Sequence, residues 1–236
     1  MLMYNGRPLP VGVKMIGYTL WSPAMELRTI DIPSQRGVLR TGSKIGARSV
    51  RFDFVIEAEN TWQATIIAQE LRKWCMSEGA GKLKLPRLPG LYLEAECETF
   101  PAPQMDKPWE PFEASFYCFR PEFISEQELI ANVPGPLQIG GTVSTPVLLE
   151  FAAPSQLINP VWTIDAHTIA LNGTISPGLI EIDTSEDRAK VTVDGEDLTG
   201  LVTLESDLAI MLDPGAHTVT GPAGLSGSCR WRNRFI

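Results

Sequence analysis

Four stretches of the first half alternate or repeat in ways that predict secondary structure directly. In Ser49 to Glu57, Val50, Phe52, Phe54 and Ile56 fall on one side, and Arg51, Asp53 and Val55 on the other. That period of two is the signature of a half-buried strand. Leu91 to Glu98 alternates Leu91, Leu93, Ala95 and Cys97 with Tyr92, Glu94, Glu96 and Glu98. Pro111 to Arg120 does the same with Phe112, Ala114, Phe116 and Cys118. Between the first two lies a different period. Trp62, Ile66, Ile67, Leu71, Trp74 and Cys75 recur three or four apart, which predicts a helix over about 61–77 with one apolar stripe. Asn60 and Gln63 have capping-box spacing, and Gly79 and Gly81 suit its end. A sheet with one helix packed on it follows for residues 1–130.

Beyond Ala131-Asn-Val-Pro-Gly-Pro136 the pattern changes to short, evenly spaced strands. Residues 131–141 are expected to be a linker. Strands are expected at Pro146–Phe151, Val161–Asp165, Thr168–Leu171, Leu179–Asp183, Lys190–Val193, Leu208–Leu212, His217–Thr220 and Ser228–Phe235. Asn172-Gly173 and Asp194-Gly195 are hairpin-turn dipeptides. Eight short strands with no helical period predict a second domain over 131–236, a β-sandwich of jelly-roll or lectin-like type.

Charge divides unevenly between the halves. Residues 1–130 hold 15 Lys+Arg and 16 Asp+Glu, whereas residues 131–236 hold 5 and 12. The acidic second half is unsuited to phosphate contacts. The positive charge of the first half concentrates between Arg28 and Arg51, with six basic residues and one acidic, Asp31. Within it, Arg36 to Arg48 has three glycines and reads as a hairpin or long loop. No aromatic residue interleaves there, as a single-strand nucleic-acid platform requires. Nucleic-acid binding is therefore the lesser reading, and subunit contact or a solvated loop the favoured one, with Arg36, Arg40, Lys44 and Arg48 as the possible contact residues.

The acidic row Glu94, Glu96 and Glu98 is the matching candidate. Its plain reading is a solvated strand face. The sharper ones are a Ca²⁺ site, an acid/base pair, or a surface meeting the basic segment of a neighbouring copy. Backbones of Glu94 and Glu98 would lie about 13 Å apart on a strand, too far for a glycosidase pair. The turns Glu186-Asp187 and Glu196-Asp197 lack Ca²⁺-loop spacing.

Other chemistry is searched for and not found. The sequence has two histidines, His167 and His217, and no GxSxG, GxxxxGK[ST] or strand-linked GxGxxG motif. Cys75, Cys97, Cys118 and Cys229 are far apart, without metal-ligand spacing, and are expected to be buried free thiols. No catalytic residue, cofactor or metal is expected. No 18-residue apolar run and no signal-peptide pattern is present, so a protein made in a cytosol is expected.

The order of parts resembles the distal tail (Dit) proteins of long, non-contractile phage tails. Pro89-Gly90-Leu91-Tyr92 is similar to the family's strand after the helix, and Cys118-Phe119-Arg120-Pro121-Glu122-Phe123 to its closing strand. Gly140-Gly-Thr-Val-Ser-Thr-Pro146 is similar to the start of its sandwich, Gly178-Leu-Ile-Glu-Ile-Asp183 to a later strand and Leu212-Asp-Pro-Gly215 to its late turn. The resemblance implies a structural, non-enzymatic subunit of a homohexameric ring, with the first domain forming the ring and a galectin-like second domain projecting. It implies tail-tube, tape-measure and tail-tip or baseplate proteins as partners. DNA would only pass through the lumen, no membrane would be involved, and the ring would be placed in the virion tail after assembly in the host cytoplasm. The alternative is a lectin-like carbohydrate-binding module aiding adhesion, for which Trp162 and Trp231 are the candidate sugar platforms.

Overall fold

The computed structural model describes residues 1–31, 38–76, 78–104, 107 and 109–236. They form two compact units, Met1–Phe123 and Ile124–Ile236.

The first unit is built on a sheet of β1 (Met3–Tyr4), β2 (Arg7–Pro8), β3 (Val13–Leu20), β6 (Arg48–Ile56), β7 (Gly81–Lys84), β8 (Leu91–Thr99) and β9 (Phe112–Cys118). Two further strands, β4 (Met25–Asp31) and β5 (Val38–Ile45), stand outside it. The sheet order is β2-β1-β7-β8-β9-β6-β3. Strand β6 shows why. Its even positions Val50, Phe52, Phe54 and Ile56 are buried while Ser49, Arg51, Asp53 and Val55 are half-buried. One face can therefore bury apolar area at roughly 1.5–3 kcal/mol per large side chain while the other stays wet. Phe52 and Phe116 meet edge to face at 5.6 Å, and Tyr4 meets Phe116 at 5.0 Å. The Tyr4 hydroxyl donates to the Ala95 carbonyl and the Trp74 indole to that of Arg7, so both polar handles in this core are satisfied.

Helix α1 (Thr61–Cys75) covers the apolar face. The Asn60 side chain accepts from the Gln63 amide at 2.9 Å, and the Gln63 side chain accepts from the Glu59 amide at 2.8 Å. This box closes one residue earlier than the usual reciprocal pair. The buried stripe is Ala64, Ile67, Ala68, Leu71, Trp74 and Cys75. Trp62 and Ile66 are corrected: they are 74% and 44% exposed. Small Ala64 and Ala68 let the helix approach the sheet, and that rotates the 62/66 row outward.

In the second unit, residues 131–141 are not a linker. They lie largely in β10 (Leu129–Val133) and β11 (Gly135–Ile139), whose Val133, Leu137 and Ile139 are buried. The two main sheets also hold β12 (Leu148–Ala153), β13 (Val161–Ile164), β14 (His167–Ala170), β15 (Gly178–Asp183), β16 (Lys190–Val193), β17 (Glu196–Asp197), β18 (Gly215–Thr220) and β19 (Ser226–Trp231), beside shorter two-residue strands. One sheet runs β10-β19-β12-β15-β16-β17 and the other β11-β18-β13-β14. Leu149, Phe151, Ile180 and Ile182 of the first share one core with Leu137, Trp162, Ile164 and Val219 of the second, as in a β-sandwich.

Asp194-Gly195 makes the predicted tight turn, with φ of 49° and 84°. Asn172-Gly173 does not. The Gly173 amide donates to the Asn159 side chain, β14 before it pairs with β13, and Thr174–Ile175 after it pairs with Leu157–Ile158. A two-residue turn falls instead at Asp165-Ala166, where Ile164 pairs with His167. Asp165 takes a left-handed φ of 51° there.

Candidate functional site

Strands β4 and β5 pair with each other and with no other strand among the described residues. The register runs from Met25–Ile45 through Glu26–Lys44 and Arg28–Gly42, shifts at a bulge, and resumes at Thr29–Arg40. Met25, Leu27, Ile30 and Ile45 are 65%, 58%, 54% and 40% exposed. A two-stranded hairpin arm is marginal alone in water, and uncovered apolar rows make it more so.

At its root an open groove of about 500 Å³ is lined by Trp21, Ala47, Arg51, Glu98, Glu113 and Ser115, among others. The groove lies on the sheet face away from α1, because Arg51 alternates with Phe52 and Glu113 with Phe112. Arg51 reaches Glu113 at 3.4 Å and lies over the Trp21 ring at 5.6 Å. Tyr117 and the 61% exposed Phe119 continue the outward row of β9 and stack edge to face at 4.9 Å.

The cationic residues named from sequence fall in different places. Arg36 lies outside the described residues. Arg40 is on β5, and Lys44 is on β5 and exposed. Arg48 is an interior residue, 5% exposed, with its guanidinium 4.6 Å from the Phe123 ring centre. Burial lowers its pKa, and Cys118 and Glu122 oppose that shift. It cannot serve as a surface contact in this arrangement.

The acidic row is not even. Glu94 and Glu96 keep the alternation, with Glu96 opposite Tyr117. The register then jumps from Cys97–Phe116 to Thr99–Ser115, which leaves Glu98 on a bulge beside the groove. Among the described residues no three His, Cys, Asp or Glu side chains converge as a metal site needs.

Trp162 and Trp231 are 0% and 7% exposed and belong to the sandwich core, so neither offers a ring to a sugar. His217 is held at both nitrogens, by Asp165 Oδ2 at 2.6 Å and the Asp213 carbonyl at 2.7 Å. His167 meets Asp207 at 2.8 Å. Cys118 and Cys229 are buried, and burial pushes each thiol up to about 12. Cys97 is half-buried rather than buried, a correction to the sequence expectation. The arm's first strand and Trp21 were not singled out from sequence, although Met25 and Leu27 alternate with Glu26 and Arg28.

No protein-family model matches the sequence, and no curated protein matches it. Solved structures do. The crystal structure of the Dit protein of phage SPP1, described as a paradigm of the hub adsorption apparatus in phages infecting Gram-positive bacteria, superposes with a TM-score of 0.81 at 15% identity. The match covers 100% of this chain and 98% of that one. A chain of the phage P2 baseplate in its activated conformation with calcium matches at 0.55 and 7% identity, over 95% of this chain and 92% of that one. The strontium form matches at 0.54 and 7%, over 93% and 90%. The chain has the Dit fold.

Proposed function

We propose that the chain is a structural subunit of a phage or prophage tail, forming a hub ring that joins the tail tube to the tail tip or baseplate. The supporting observation is the end-to-end likeness to the SPP1 hub protein, in which neither chain leaves a domain unmatched. The exposed Met25, Leu27 and Ile30 of β4 and the edge position of β3 add to it. Both are hazards on a monomer and contact surfaces in an assembly. In this reading six copies close a ring through their first units, and the sandwiches project from it as galectin-like appendages. Tail-tube, tape-measure and tail-tip proteins are the neighbours. DNA crosses the lumen without a dedicated site. The work is done in the virion tail, after assembly in the host cytoplasm.

The test is genetic and morphological. Deleting the reading frame from its phage or prophage should leave filled heads without complete tails, and supplying it in trans should restore them. Normal, infectious tails without the protein would refute the proposal.

A further inference from the structure

The end of helix α1 and the later part of β8 bring two thiols together. Cys75 is the last residue of the helix and is buried, and Trp74 beside it packs against Phe116 at 6.1 Å. Phe116 is the β9 residue opposite Cys97, and Cys97 alternates onto the same face of β8 as the buried Ala95. After Cys75 the chain returns to the sheet at Gly81, which pairs with Ala95, two residues from Cys97. Just before that, Gly79 passes the Glu96 carboxylate, a Cβ there lying 4.0 Å from Oε1. Helix packing on one side and strand pairing on the other therefore bracket Cys75 and Cys97 against each other. The Cys75 thiol donates a hydrogen bond to the Cys97 sulfur, and Cys97 donates in turn to the Thr99 carbonyl at 3.4 Å.

The two thiols are unequal. Cys75 is raised by the hydrogen bond it donates and then by burial, and it sits at a helix C-terminus, where the dipole disfavours a thiolate. Cys97 is half-buried, and the hydrogen bond it accepts lowers its pKa against the opposing effects of burial and Glu98. Disulfide exchange needs an attacking thiolate and a second thiol to resolve the mixed disulfide, and this pair supplies one of each.

We propose that Cys75 and Cys97 are a reversible redox pair, which takes small-molecule disulfides as its substrate and closes into a disulfide tying the end of α1 to β8. The Cys97 thiolate attacks one sulfur of a disulfide RSSR, breaking its S–S bond, forming a Cys97–SR mixed disulfide and releasing RS⁻. Cys75 gives up its proton and attacks the Cys97 sulfur, breaking the mixed disulfide, forming the Cys75–Cys97 bond and releasing the second RS⁻. The two protons lost by the cysteines end on the two RS⁻ groups. Two cysteine thiols are thus oxidised by two electrons while one RSSR is reduced to two RSH. The closed bond constrains the unfolded chain between Cys75 and Cys97, which favours the folded first unit. The pair does not depend on the tail reading above; within that reading it stays reduced in the cytosol and closes in oxidising surroundings after release.

The test uses the full chain, folded and fully reduced, in a series of buffers with rising ratios of oxidised to reduced glutathione. Remaining thiols are trapped with N-ethylmaleimide, and pairings are read by peptide mass mapping. The wild type should accumulate one bond, Cys75–Cys97, with Cys118 and Cys229 still free, and dithiothreitol should reverse it. Cys75→Ser should stop at a Cys97–glutathione adduct, and Cys97→Ser should give neither adduct nor bond at Cys75, with circular dichroism verifying that each variant is folded. A wild type that keeps four free thiols at ratios that oxidise the same chain in urea would overturn the proposal. So would bonds to Cys118 or Cys229 formed from the folded chain, or a folded Cys75→Ser variant as free of adduct as Cys97→Ser. Each of these contrary results would leave the tail reading standing.

Discussion

His217 makes the second unit's stability depend on pH in a direction opposite to that of most surface carboxylates. Its Nδ1 faces Asp165 Oδ2 at 2.6 Å and its Nε2 faces the Asp213 carbonyl at 2.7 Å. A neutral imidazole has one N–H and can satisfy one of these acceptors, whereas the imidazolium satisfies both. Burial works against the charge, but the hydrogen bonds to Asp165 and Asp213 outweigh it and His217 titrates above its usual range. The folded pKa therefore exceeds the unfolded value of about 6.5. The stabilisation is fully present below the unfolded pKa and is lost as pH rises through the folded one.

The charge-assisted bonds are worth about 1.5–3 kcal/mol in favourable settings. The Asp165 side chain is 42% exposed, so solvent screening reduces this to about 1–2 kcal/mol. In a unit of roughly a hundred residues that corresponds to about 4–8 °C of Tm. Thermal unfolding of the full chain between pH 5.5 and 9 should show the second unit's transition falling as pH rises. His217→Phe should flatten that dependence and cost most at the acid end. A wild-type transition that is level or climbs with pH, with His217→Phe parallel to it, would refute the reasoning.

Three further outcomes follow from the packing. Asn60→Ala removes the acceptor for the Gln63 amide and should destabilise the first unit by about 1 kcal/mol in urea titration. Trp74→Ala should cost about 3–5 kcal/mol, and Trp62→Ser no more than about 0.5 kcal/mol, because only Trp74 lies in the core. In timed alkylation of the native protein read by mass spectrometry, Cys97 should be modified before Cys118 and Cys229. The Cys75 thiol donates to Cys97 and lowers its pKa, whereas burial raises the other two to about 12.

Elements that bury one complete face were legible from the sequence alone. Strand β6 and helix α1 match their expected bounds to within two residues, because alternation and helical period are consequences of burial itself. Where two solutions satisfy the same period, the pattern is insufficient. Trp62 and Ile66 fit the apolar stripe as well as Ala64 and Ala68 do, and only the close approach of helix to sheet selects the alanines. Pro134, Gly135 and Pro136 suggested a linker, but Val133, Leu137 and Ile139 still bury alternately around them. The candidate contact surface was half legible. Lys44 and the carboxylates stood out by charge, while the bulge at Glu98 and the burial of Arg48 depend on pairing across strands. The arm was obscured because Met25, Leu27 and Ile30 are left exposed, so no burial pattern marks the strand.

The central claim is a ring of identical subunits, and the most direct measurement is the mass and shape of the purified full-length protein. Light scattering combined with negative-stain electron microscopy, across concentrations up to tens of micromolar, should give particles of six times the 25.9 kDa chain, with a central hole. A single species of one chain's mass at every concentration, with no annular particles in the images, would contradict the account.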